Sequence, residues 1–166
     1  MPRPIEHSAT YACSPATLHA ALTDRAYWEA RIEAVGGTGA TLDSFARAAG
    51  GAEVALTQVI AAGNLPSIVS RIKAGDLSIT RTETWGPLAA DAATAEVTAL
   101  VGGTPASVTG TTSLTGDATS TTVRTAGQAK VPVPLVGGRI EQAVADNVVK
   151  LLVAEARFTE QWLART

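Results

Sequence analysis

Residues 135–165, LVGGRIEQAVADNVVKLLVAEARFTEQWLAR, contain no proline, and no glycine follows position 138. Ile140, Val144, Asn147/Val148, Leu151, Glu155, Phe158 and Trp162 recur about every 3.6 residues, the stripe of an amphipathic helix. Arg139, Gln142, Asp146, Lys150, Arg157 and Glu160 fall on the opposite side. A helix of about 28 residues is about 42 Å long, and its stripe needs a surface to cover it.

The preceding chain supplies that surface. Between residues 37 and 131 apolar positions fall at period two, which predicts strands near 40–48, 52–61, 76–86, 93–101, 106–116 and 119–131. Breaks fall at Gly50-Gly51, Gly63-Asn64-Leu65-Pro66, Gly86-Pro87, Gly102-Gly103 and Gly116-Asp117. Ahead of them, Ile5, His7, Ala9 and Tyr11 share one face of a first strand. Ser14-Pro15 then opens a helix over 15–22, because serine caps an orphan N–H and proline has none. Asp24 caps a second helix over 26–35, which Gly36-Gly37 ends. Residues 66–74 have the pattern of one or two helical turns. The expected fold is α+β: a curved antiparallel sheet of about seven strands gripping the long C-terminal helix, with two short helices after the first strand. No linker divides the chain, so a single domain over 1–166 is expected.

Composition narrows the function. The chain has 166 residues, 46% apolar and 17% charged, with a formal charge of −2, values of a folded protein with a real core. With seven aromatics and no basic excess, it lacks the electrostatic footprint and stacking surfaces of a nucleic-acid binder. One cysteine, Cys13, excludes an internal disulfide and any multi-cysteine zinc site. His7 and His19, twelve apart, form no metal-ligand spacing, so no metal is expected. Gly37-Thr38-Gly39-Ala40 and Gly102-Gly103-Thr104 lack the Lys-Ser/Thr of a phosphate loop and read as turns, so no cofactor is expected. There is no Gly-x-Ser-x-Gly elbow. No stretch reaches the ~18 apolar residues of a membrane span, and the first residues show no apolar h-region, so no secretory signal and a cytoplasmic protein are expected.

Several motifs carry a resemblance: Leu65-Pro66, Gly75-Asp76, Thr82-Glu83-Thr84-Trp85-Gly86, Gly103-Thr104-Pro105 and Val133-Pro134-Leu135-Val136-Gly137-Gly138-Arg139-Ile140-Glu141. With the order strand, two helices, six strands, helix, the chain resembles the START-related, Bet v 1-like helix-grip superfamily (SRPBCC), and within it an actinobacterial family of unknown function. The resemblance implies a deep apolar cavity between sheet and helix. In that superfamily such cavities hold lipids, sterols, polyketides or plant hormones, and some members are cyclases or hydroxylase subunits. The narrower family implies no reaction and no catalytic motif.

Candidate site residues follow from facing. On the strand over 76–86, Leu77, Ile79, Arg81, Glu83 and Trp85 alternate with Ser78, Thr80, Thr82 and Thr84. If the threonines meet solvent, Arg81 and Glu83 point inward, where unpaired charges are costly. They then form a structural ion pair or anchor a polar group of a ligand, Arg81 favouring a carboxylate. His7 and Tyr11 share a face that offers an acid, a base or a hydroxyl to the same interior. Asn147, Leu151 and Glu155 are spaced i, i+4, i+8 on one helix face. Their polar members either line a cavity or sit beside a stripe centred on Val144, Val148, Leu151, Leu152 and Phe158. Val108, Gly110, Thr112 and Leu114, and likewise Val123, Thr125, Gly127 and Ala129, are too small to fill the ~10 Å between a sheet and its covering layer. That leaves room for a ligand unless the helix sits close.

Three functions fit. The first is a binding protein, without catalysis, for a hydrophobic or amphipathic small molecule. The second is a cyclase- or hydrolase-type enzyme using His7, Tyr11 or Glu83. The third is a ligand-free interaction module, for example a homodimer.

Overall fold

A computed structural model of the chain describes residues 2–71 and 74–165. Strand β1 (Arg3–Tyr11) leads into α1 (Pro15–Leu22) and α2 (Arg25–Val35). Six strands follow: β2 (Thr41–Ala48), β3 (Gly51–Ile60), β4 (Leu77–Trp85), β5 (Ala92–Val101), β6 (Ser107–Gly116) and β7 (Thr121–Lys130). The chain ends in α4 (Gly137–Leu163). The expected α+β fold, with its curved antiparallel sheet and long terminal helix, is the one found.

The caps act as the sequence implies. Ser14 Oγ accepts the Thr17 N–H at 3.3 Å, and Asp24 Oδ1 accepts the Ala26 N–H at 3.1 Å. Between β3 and β4 one of the expected helical turns is found, a four-residue α3 (Ser67–Ser70) after a 3-10 turn at Ala62–Asn64. The part of that expectation on residues 72 and 73 lies outside the described residues.

The seven strands form one antiparallel sheet in the order β1-β7-β6-β5-β4-β3-β2. The first and last strands in sequence are therefore neighbours, and β2 is the far edge. Short hairpins join successive strands from β2 on, except β3 and β4. Gly50, at φ 79°, and Ala49, at φ 50°, turn the chain between β2 and β3. α4 lies across the concave face, packed against β1 and β7, with α2 against it. Its start sits close to the sheet: a Cβ on Gly137 would lie 2.4 Å from the carbonyl oxygen of Val131. Glu141 fastens the same place, Oε1 accepting the Val131 N–H at 2.9 Å.

The core is divided. At one end Tyr27, Trp28, Phe158 and Trp162 bring α2 and the end of α4 together, with ring centroids 5.4–6.1 Å apart along the cluster. At the other, Leu77, Val101, Ala106, Val131 and Ile140 form a separate apolar group. The interior between them is incompletely filled.

Candidate functional site

Among the described residues a row of voids lies beneath α4, three of them reaching the proposed site residues. The largest, about 260 Å³, is walled by Val35, Ile60, Leu65, Val69, Leu77, Ile79, Val144, Val148 and Leu151, and reaches the exposed residues Gly37 and Asn64. The next, about 80 Å³, shares Gln58, Ile79, Val144, Val148 and Leu151 with it and has Val108, Gly110, Thr112 and Gly127 on its sheet side. The third, about 60 Å³, shares Arg81, Thr112, Thr125 and Leu152 with the second and is lined by His7, Tyr11, Glu83 and Glu155. The small inner residues of β6 and β7 are the reason for the middle void. Gly110 pairs with Gly127, and a Cβ on Gly110 would lie 2.8 Å from Gly127 Cα.

Every proposed site residue lines this row. Asn147 and Leu151 face the large void, Val108 and Thr112 the middle one, and His7, Tyr11, Glu83 and Glu155 the small one, with Arg81 between the last two. Asn147 thus lines a cavity, and its Nδ2 donates to the Ala143 carbonyl at 2.9 Å. Thr112 Oγ1 meets Thr125 Oγ1 at 3.1 Å.

At the narrow end four charges meet out of water. Arg81 Nη2 lies 2.7 Å from Glu83 Oε2, and Arg81 Nη1 donates to both oxygens of Glu155 at 3.0 and 2.9 Å. Arg31 Nη2 lies 2.6 Å from Glu155 Oε2 and 3.7 Å from Glu83 Oε2. The Arg31 guanidinium stacks 4.5 Å above Trp28, and the Trp85 indole N–H donates to Glu83 Oε1 at 3.3 Å. A hydrogen-bond chain backs the cluster: Thr159 Oγ1 donates to the Glu155 carbonyl at 2.8 Å, so the Tyr27 hydroxyl, 2.7 Å from Thr159 Oγ1, must donate to it.

Two guanidiniums and two carboxylates balance to zero. Burial would raise the Glu155 pKa, but the charges of Arg31 and Arg81 outweigh it and hold the carboxyl below its ordinary value. Burial would lower the Arg31 pKa, but Glu155, Tyr27 and Glu83 raise it. Burial, and then Tyr27, push the Tyr11 phenol up to about 12, so it stays neutral at physiological pH. The expectation that Arg81 attracts a carboxylate gives way to a different geometry, because the protein's own carboxylates already neutralise it. No hydrogen bond joins any two of His7, Tyr11 and Glu83 among the described residues, and no group of three potential metal ligands occurs among them.

Two interior residues escape the sequence reading. Arg31 lies four residues after Tyr27 and three after Trp28, so helical spacing places it on their buried face. Gln58 follows Ala52, Val54 and Leu56 at period two on β3 and is as buried as they are. Both signals were present in the spacing.

Over residues 6–163 the chain matches the family described as a protein of unknown function (DUF2505), and it belongs to that family. A relative in Mycobacterium tuberculosis, described as an uncharacterised protein, is 33% identical over 171 residues, covering 98% of each chain. Among solved structures, the fold is similar to the Zhui aromatase/cyclase from Streptomyces sp. R1128, with TM-score 0.67 and 12% identity over 99% of this chain and 95% of that one. It is also similar to a START superfamily protein from Mycobacterium smegmatis, with TM-score 0.57 and 13% identity over 96% of this chain and 98% of that one. At such identities the likeness is one of fold, the START-related helix-grip arrangement implied by the sequence motifs.

Proposed function

We propose that this member of the family binds a hydrophobic or amphipathic small molecule, lipid-, sterol- or polyketide-like, between the sheet and α4, and does so in the cytoplasm. The observation that carries this reading is the void of about 260 Å³, walled mainly by aliphatic side chains and opening beside Gly37 and Asn64. An apolar pocket with a few placed polar groups is the usual form of a small-molecule site. Apolar walls supply affinity by removing ligand surface from water, and Gln58 and Asn147 set its orientation. The two other readings gain less. Acid/base chemistry needs a pair of groups in mutual reach, and Glu83 is held by Arg81 and Trp85. An interaction module has no use for an open interior.

The test is a fluorescence titration with the neutral dye N-phenyl-1-naphthylamine, followed by displacement with fatty acids, sterols and aromatic polyketides. Saturable micromolar binding is expected, weakened at least tenfold in Val148→Trp, which fills the void. Absence of saturable binding, or equal binding by Val148→Trp, overturns the reading.

A further inference from the structure

Gln58 is the polar residue that the walls do not account for. It sits on the concave face of β3, 4% exposed, opposite Ile79 and one inward position beyond Leu56. It lines both the large and the middle void, and its Oε1 has no hydrogen-bond partner among the described residues. A buried acceptor left unmatched is destabilising, so a group at this place asks for a donor that the described residues do not provide. Arg81 adds the complement. Its two terminal nitrogens are engaged by Glu83 and Glu155, but its Nε–H is buried without a partner among the described residues, and Arg81 lines the same middle void. Gln58, with an unmatched acceptor, and Arg81, with an unmatched donor, therefore line a single space in which the local charge is already balanced.

We infer that the cavity takes a neutral, hydroxyl-bearing hydrophobic molecule, its hydroxyl donating to Gln58 at the inner end and its apolar body lying among Val69, Leu77, Val144, Val148 and Leu151. This rests on the ligand-binding reading and specifies its ligand class. A hydroxyl can donate to Oε1 and also accept from Arg81 Nε. An apolar ligand leaves the Gln58 acceptor unmatched, and sites built this way reject analogues lacking the polar group. A carboxylate meets two glutamates that already hold both arginines.

The experiment uses three probes of similar size, 1-naphthol, 1-methylnaphthalene and 1-naphthoate, titrated calorimetrically into the full chain and into Gln58→Leu. The wild type is expected to bind 1-naphthol at least tenfold more tightly than either other probe. In Gln58→Leu the naphthol-to-methylnaphthalene ratio falls to near one, while the ligand-free Tm rises by about 2–4 °C as an unmatched acceptor is removed. Gln58→Met repeats the test with an unbranched side chain if the leucine variant does not fold. Equal binding of naphthol and methylnaphthalene by the wild type, with the ratio unchanged in the variant, overturns the role of Gln58 and leaves cavity binding standing. A fall in ligand-free Tm also overturns it, because it means that the protein satisfies the amide. Failure of all three probes to bind removes the cavity reading and this inference together.

Discussion

Glu155 stands between Arg31 and Arg81, within 3.0 Å of a nitrogen of each, and out of water. Removing one partner from such a group leaves a buried charge uncompensated, which outweighs the modest net value of the intact pairs. Glu155→Ala is expected to lower the free energy of unfolding by about 3–5 kcal/mol, read from urea denaturation. The linkage sign follows from the depressed pKa. The contribution of Glu155 is fully present above its ordinary value of 4.5 and is lost as pH falls through the lower folded value. Wild-type Tm should therefore drop below about pH 4.5, and more steeply than that of Glu155→Gln. A pH-independent difference between the two would contradict the pairing. Arg81, Glu83 and Glu155 were legible because parity and helical spacing place charges among apolar neighbours. What spacing could not give was their mutual partner: Arg31 lies far from Arg81, Glu83 and Glu155 along the chain and reaches them only once α2 folds against α4.

α4 is an element whose seat is set at its first two turns. Gly137 admits the Val131 carbonyl, and Glu141 takes the Val131 N–H, so β7's exit and the helix start are held as one unit. Glu141→Ala leaves that buried N–H without an acceptor and should cost about 1–3 kcal/mol in thermal or urea unfolding; an unchanged stability would show that the helix is seated by apolar packing alone. The element pattern itself was open to sequence reading: Ser14 and Asp24 mark helix starts chemically, and period two marks each strand. The stretch after Ile60 was less so, because Pro66 and the residues after it fit either a turn or a short helix, and tertiary packing on α4 decides.

At the scale of the molecule, sheet curvature, a long helix and small residues at Gly110 and Gly127 produce an interior that is apolar at its wide end and ionic at its narrow one. The size of that space was not legible, since volumes depend on how closely the helix approaches, and no periodicity reports that distance. Methyl NMR of Ile, Leu and Val groups during titration with 1-naphthol tests the central claim most directly. Binding in the cavity is expected to shift Val69, Leu77, Val144, Val148 and Leu151 together while the exposed Leu100 and Leu135 stay unmoved. Shifts confined to Leu100 and Leu135, or none at any methyl, would contradict it.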